Sequence, residues 1–292
     1  MRGEAAPLTI DHPSLGILAH EASDRKLRDL EVIRHGTHLV LKDAPTKTIV
    51  RAQHIGHLNQ FRENLDLVRS LIGAGAPLLG PLDPGIAWDD SVVITAWPLG
   101  APTPDDTFGL ATALKRLHSI EAPPNLATLN IDDRFQSRMD GLEADLGTAV
   151  TSDLHRRIDQ AREAFNQYCS AHTHLLHADA HGGNLVTLDG SALLIDLDDL
   201  AVGPKEFDLV PSYTAYVRVH RNPARWGLFK KTYGADQADW DLVDRLRIIR
   251  ETTMNTWLAD VARHSTAARE QLEHRLATWD LDPLSHEPWR AV

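Results

Sequence analysis

A chain of 292 residues has room for two lobes, and 42% hydrophobic with 24% charged residues is the balance of an ordered globular protein. A formal net charge of -11 disfavours nucleic acid as a partner, because polyanions would be repelled. No run approaches the roughly 20 apolar residues of a membrane span, and the single cysteine, Cys169, rules out an intrachain disulfide and a thiolate zinc site.

The first twenty residues lack the apolar core of a secretory leader, so a cytoplasmic protein without membrane attachment is expected. A short helix is expected near Ala19–Leu30. Three strands follow, Leu30–His35, His38–Asp43 and Thr48–Ala52, with Gly36-Thr37 and the proline-containing Ala44–Lys47 as turns. Phe61, Leu65, Val68 and Ile72 recur at three- and four-residue intervals, which predicts a helix over Leu58–Ile72 stopped by Gly73–Pro77. Val92–Trp97 reads as a buried strand and Pro98–Pro104 as a linker.

Thr103-Pro104-Asp105-Asp106 has the form of a helix start, with a capping hydroxyl, proline at the first helical position and acids in the first turn. Leu110, Leu114 and Leu117 would line the buried face of that helix, with His118 as a packing residue. Further helices are expected over Asp133–Ala149 and Ser152–Cys169, with Cys169 packed among apolar neighbours. Late in the chain Leu209–Val219, Arg225–Tyr233, Trp240–His264 and Thr266–Trp279 read as helices. A poorly packed tail from Pro283 completes the pattern.

The chemistry concentrates in His177–Asp199, HADAHGGNLVTLDGSALLIDLDD. Asp179 and Asn184 stand five apart with His177 two residues before the aspartate, the H-x-D-x-x-x-x-N order of a kinase catalytic loop. Two apolar runs then flank Asp189-Gly190, a hairpin signal because glycine accepts the positive φ of a tight turn. Such a hairpin would return Asp196 beside Asn184. A carboxylate and an amide oxygen are hard ligands suited to Mg2+, which phosphoryl transfer needs. Asp179 is then the base for an acceptor hydroxyl, and His177 holds the loop by hydrogen bonds. A rival use of the same letters is a hydrolase metal triad of His177, Asp179 and His181 on one strand face, against which Gly182-Gly183 breaks the strand.

HADAHGGN, LLIDLDD and the later GPKEFDL at Gly203–Leu209 together resemble the aminoglycoside phosphotransferase and choline kinase family, whose fold is like that of protein kinases. The resemblance implies an α+β fold with a mainly antiparallel-β N-lobe, residues 1–97, and a mostly helical C-lobe, residues 98–292. It puts Arg51 where the family's basic residue grips the nucleotide phosphates, in place of the commoner lysine. Glu63 falls where a helix glutamate would pair with that cation, although an ordinary helix-surface glutamate fits equally well. The backbone of Thr95, Ala96 and Trp97 would serve as the hinge against the nucleotide base. Asp208 matches the family's late aspartate, expected to support the loop through backbone hydrogen bonds.

Asp198 would reach metal or substrate, or merely face water, while Asp199 leans structural. Two departures stand out: Ala178 replaces the usual glycine, a conservative change in size, and Arg34-His35-Gly36-Thr37 offers one glycine where a kinase glycine-rich loop has three. The implied reaction moves the γ-phosphoryl group of ATP or GTP, with Mg2+, to a hydroxyl of an aminoglycoside-like or other sugar-containing antibiotic, as in a resistance enzyme. A metabolic kinase of choline, a sugar or an amino sugar is the alternative, and a non-catalytic nucleotide-binding module is a third. The acceptor would dock between the catalytic loop and the late helices, where Glu251, Trp257 and Asp260 are not singled out by pattern. The oligomeric state stays open.

Overall fold

The computed structural model describes residues 27, 29–35, 38–54, 58–82, 86–87, 92–169 and 174–290. The helix expected near Ala19–Leu30 and the Gly36-Thr37 turn fall largely outside them. The chain divides into two units, Met1–Thr103 with Leu185–Leu197, and Pro104–Asn184 with Asp198–Val292. The division expected after Trp97 therefore moves to Thr103, and the hairpin groups with the first unit.

In the first unit the strands are β1 (Leu30–His35), β2 (His38–Asp43), β3 (Thr48–His54), β4 (Ile86–Ala87) and β5 (Val92–Pro98). They form one antiparallel sheet in the order β1-β2-β3-β5-β4. Alternation places Leu39, Leu41, Val50, Ala52, Val92 and Ile94 together in its core, with Leu27 and Leu30 packed against them. The turn after β2 is built on Asp43, fully buried, whose carboxylate accepts the Asp29 amide at 2.8 Å and the Thr46 amide at 3.2 Å. Helix α1 (Leu58–Gly73) buries Leu65, Val68 and Leu71.

A second sheet joins β6 (Ala101–Pro102), β8 (Leu185–Leu188) and β9 (Ser191–Leu194). The β8–β9 hairpin turns at Asp189 and Gly190, whose φ values of 49° and 77° are those of the tight turn expected from Asp-Gly. The Leu79 amide bonds the Leu194 carbonyl and the Leu194 amide bonds the Pro77 carbonyl, at 2.9 and 2.8 Å, which stitches the hairpin into the first unit.

The second unit is helical: α2 (Thr107–Leu117), α3 (Asp132–Met139), α4 (Leu142–Leu146), α5 (Thr148–Tyr168), α6 (Glu206–Thr214), α7 (Pro223–Tyr233), α8 (Trp240–Ala262) and α9 (Thr266–Thr278). A two-stranded ribbon, β7 (His174–Leu176) with β10 (Ala201–Gly203), is added to them. Helix α2 is capped by Asp106, which accepts the Gly109 amide at 2.8 Å, and not by Thr103. The helix expected over Asp133–Ala149 is interrupted at Gly141 and Gly147, both with positive φ. Burial pushes the Cys169 thiol up to about 12, consistent with an inert packing residue.

Helix α8 is the axis of this unit and packs against α5, α6 and α9. Its Glu251 is a core residue. Glu251 accepts Arg218 Nε at 2.6 Å and Trp279 Nε1 at 2.7 Å, and it also pairs with Arg247. The expected loose tail is instead anchored: Trp289 is buried beneath the Arg218 guanidinium, which lies 4.7 Å from its ring, and its amide bonds the Arg218 carbonyl at 2.7 Å. Glu251→Ala should cost about 3–5 kcal/mol by leaving the Arg218 charge buried without its counterion. Urea unfolding monitored by tryptophan fluorescence measures this, and a loss under about 1 kcal/mol would show that Arg218 finds another partner.

Candidate active site

Strand β7 carries Leu175 and Leu176 into the core and ends there, so the residues that follow are not strand. Ala178 turns the chain at φ 63°, a left-handed conformation costing an alanine about 1–2 kcal/mol. Asp208, in the first turn of α6, holds that turn closed. Its carboxylate is fully buried and accepts the amides of His177 and Ala178, each at 2.7 Å. Hydrogen bonds to a charged acceptor are among the stronger ones, and here two of them oppose the strain.

The same carboxylate meets His118 of α2, whose Nε2 is 3.1 Å away, and His118 Nδ1 lies 2.9 Å from the Tyr233 hydroxyl of α7. Burial, with the Glu206 and Asp208 carboxylates nearby, pushes the Tyr233 phenol up. The Asp208 carboxylate only accepts, so Nε2–H donates to it, and in that neutral tautomer Nδ1 accepts the Tyr233 hydroxyl. His118 is thus a support of the loop, beyond the packing role its helical position suggested.

Held this way, the loop presents Asp179. Its carbonyl accepts Asn184 Nδ2 at 3.0 Å, and its carboxylate Oδ1 receives Arg250 Nη1 of α8 at 2.6 Å, with His181 Nε2 3.8 Å from Oδ2. Asn184 is buried in the short 3-10 turn Gly182–Asn184, whose first residue must be glycine: a Cβ there would lie 2.1 Å from the Pro104 carbonyl oxygen. A cavity of about 450 Å³ opens beside the loop, lined among others by His181, Tyr216, Trp226, Phe229 and Arg250. Its volume is in the range of small-molecule sites. Part of its wall is a π-helical turn, Ala215–His220, a distortion often found at functional sites.

The remaining expected site residues lie on the first unit, apart from Asp198. Arg51 on β3 is 3.7 Å from Asp196, which follows β9 with φ 63°. Thr95 is buried and its hydroxyl accepts Trp97 Nε1 at 2.8 Å, while the Ala96 carbonyl takes the Leu82 amide at 2.7 Å. Glu63 lies on the exposed side of α1, and Asp198 is exposed in the turn Leu197–Asp199. His177, Asp179 and His181 do not share a strand face, and no three His, Cys, Asp or Glu side chains among the described residues are grouped to hold a metal. Arg250 and Tyr233 were not singled out by sequence. Arg250 is one of several arginines on α8, and only its long-range pairing distinguishes it.

Residues 25–247 match the model of the phosphotransferase enzyme family. The chain belongs to that family. Among solved structures the phosphotransferase is similar to a spectinomycin phosphotransferase complexed with ADP and spectinomycin, at 17% identity over 94% of this chain and 96% of that one, TM-score 0.68. It is also similar to an amicoumacin kinase with AMP-PNP and Ca2+, at 13% identity over 92% and 93%, TM-score 0.68. A choline kinase from Streptococcus pneumoniae aligns at 11% identity over 86% and 94%, TM-score 0.58. These likenesses establish the protein-kinase-like α+β fold. A search of curated proteins finds no match.

If Asp208 is the clamp of the loop, Asp208→Ala should destabilise the phosphotransferase by about 3 kcal/mol or more, since two backbone donors and His118 lose a buried charged acceptor together. Denaturant titration gives the value, and hydrogen exchange should report faster exchange at the His177 and Ala178 amides. Unchanged exchange at those two amides would refute the clamp.

Proposed function

We propose that the phosphotransferase moves the γ-phosphoryl group of a nucleoside triphosphate, ATP or GTP, to a hydroxyl of a sugar-containing small molecule of the antibiotic type, with Asp179 as the base. The observation that carries this reading is the presentation of Asp179: a loop clamped by a buried acid, an arginine fixing the carboxylate, and a cavity of small-molecule size beside them. Positioning of this kind accounts for most of what a protein contributes to phosphoryl transfer.

In this reading the acceptor hydroxyl enters the cavity and meets the Asp179 carboxylate, which orients it and takes its proton as the phosphoryl group arrives. Arg250 limits the carboxylate's rotation by holding Oδ1. Asn184 commits its amide nitrogen to the Asp179 carbonyl, so its amide oxygen is the atom left to serve a cation. That oxygen and the Asp196 carboxylate are each a hard donor of the kind magnesium takes, and the family's chemistry is what assigns both to the metal. A bound magnesium ion supplies charge neutralisation for the phosphate oxygens. Arg51, close to Asp196 within the first unit, is placed to receive phosphate oxygens as a fork of donors.

Asp179→Asn keeps the size of the side chain and removes the base. Turnover should fall by about 10²–10⁴-fold while nucleotide affinity, read by isothermal titration, stays within about twofold. Removal of divalent cations with a chelator should abolish turnover and magnesium should restore it. Comparable turnover in the Asn variant would falsify the role given to Asp179.

A further inference from the structure

If the chain is a hydroxyl-phosphorylating kinase, and the inference rests on that reading, Asp179 has a neighbour able to touch the same reacting atom. His181 follows it by two residues and lines the cavity. Its imidazole is placed by the loop's own backbone. Nδ1 accepts the Gly183 amide at 3.0 Å, and the Asn184 amide bonds the His181 carbonyl at 2.9 Å. A Cβ on residue 183 would lie 2.8 Å from Cε1 and 2.9 Å from Nδ1, so glycine at that position is what lets the ring rest there.

The Gly183 contact decides the tautomer. A ring nitrogen that accepts a hydrogen bond carries no proton, so the proton of the neutral imidazole is on Nε2. Nε2 lies 3.8 Å from Asp179 Oδ2, while Arg250 holds Oδ1 of the same carboxylate at 2.6 Å. The separation of Nε2 and Oδ2 is too long for a direct hydrogen bond, yet an oxygen about 2.8 Å from each closes a triangle with them. A carboxylate oxygen offers two lone pairs, so Oδ2 can accept from that oxygen beside any other contact it makes.

We propose that the acceptor hydroxyl occupies this gap, donating its proton to Asp179 Oδ2 and accepting Nε2–H of His181, which makes His181 a second catalytic residue. An alcohol oxygen has one proton and two lone pairs. With the proton directed to Oδ2 and one pair to Nε2–H, the other pair attacks phosphorus. The new oxygen–phosphorus bond forms, the bond from the γ-phosphorus to the bridging oxygen of the departing nucleoside diphosphate breaks, and the hydroxyl proton ends on Asp179. Two hydrogen bonds thus fix the direction of attack, which is the positioning that phosphoryl transfer demands. The same contact selects at the reacting atom. A protonated amine has donors only and nothing with which to accept Nε2–H, so the gap takes a hydroxyl and refuses an ammonium group.

The test uses the full chain with magnesium and ATP, and water as the acceptor, since a water oxygen fills the same gap. His181→Ala should lower kcat for ATP hydrolysis by about tenfold while KM for ATP stays within about twofold. His181→Gln, whose side-chain amide can donate in place of Nε2, should return kcat to within about threefold of the wild type. Gly183→Ala should displace the ring and lower kcat in the same way, yet add nothing in the His181→Ala background, where there is no ring to displace. Long-range nitrogen–proton correlation spectra of histidine-labelled protein, recorded where imidazoles are neutral and assigned by the signals lost in His181→Gln, should place the proton on Nε2. A proton on Nδ1, an unchanged kcat in His181→Ala, or no recovery in His181→Gln overturns the proposal while leaving Asp179 as the base. Hydrolysis no faster in the wild type than in Asp179→Asn counts instead against the kinase reading, and the role of His181 falls with it.

Discussion

The second unit depends on one buried carboxylate. Asp208 has no contact with solvent, yet it gathers the amides of His177 and Ala178 and the imidazole of His118 into a single cluster. An ionised acid in the interior is tolerated only where such donors replace its water, and the desolvation cost makes the loss of any donor expensive. The cluster therefore behaves as one object. It fixes α2, the end of β7 and α6 to each other at the point where the chain must turn into the loop. Tyr233 extends it to α7 through the far nitrogen of His118.

That clamp explains how Ala178 survives at φ 63°. Judged by size, alanine for glycine is a small change, and its methyl fits a buried position beside Leu176 and Ala201. The cost lies in the backbone, where a Cβ is disfavoured at positive φ, and a sequence shows the side chain without the dihedral. The two short hydrogen bonds that the His177 and Ala178 amides donate to Asp208 are the compensation.

Legibility in the sequence followed the range of the interaction. The strands β1, β2, β3 and β5, the Asp-Gly hairpin and the helices α1, α5, α8 and α9 are governed by near neighbours, and their patterns are readable, whereas the short strands β4, β6, β7 and β10 carry no such pattern. Gly141 lies inside the helix expected over Asp133–Ala149 and interrupts it through its own positive φ, so here local punctuation overrides periodicity. Asp106 displaced Thr103 as the cap of α2 because several capping residues competed within four positions. The pairing of Arg250 with Asp179, 71 residues away, and the anchoring of Trp289 under Arg218 have no local signature at all. Both ride on α8 or its immediate partners, so they became visible only when that helix was placed.

Net charge shows the same limit. A chain with formal charge -11 suggests an attraction for cationic substrates, but the sum says nothing about where the acids sit. Many of them are spent on the surface and in structural pairs, as Asp244 with Arg247, Asp145 with Arg263 and Asp280 with Arg157. Beside the loop the acids are spent in the same way, Asp179 on Arg250, Asp105 on Arg225 and Asp106 on the cap of α2. The cations that position the base and the helix are thus themselves paired. A substitution that removes either arginine therefore loosens a part of the scaffold that holds Asp179 or α2 in place.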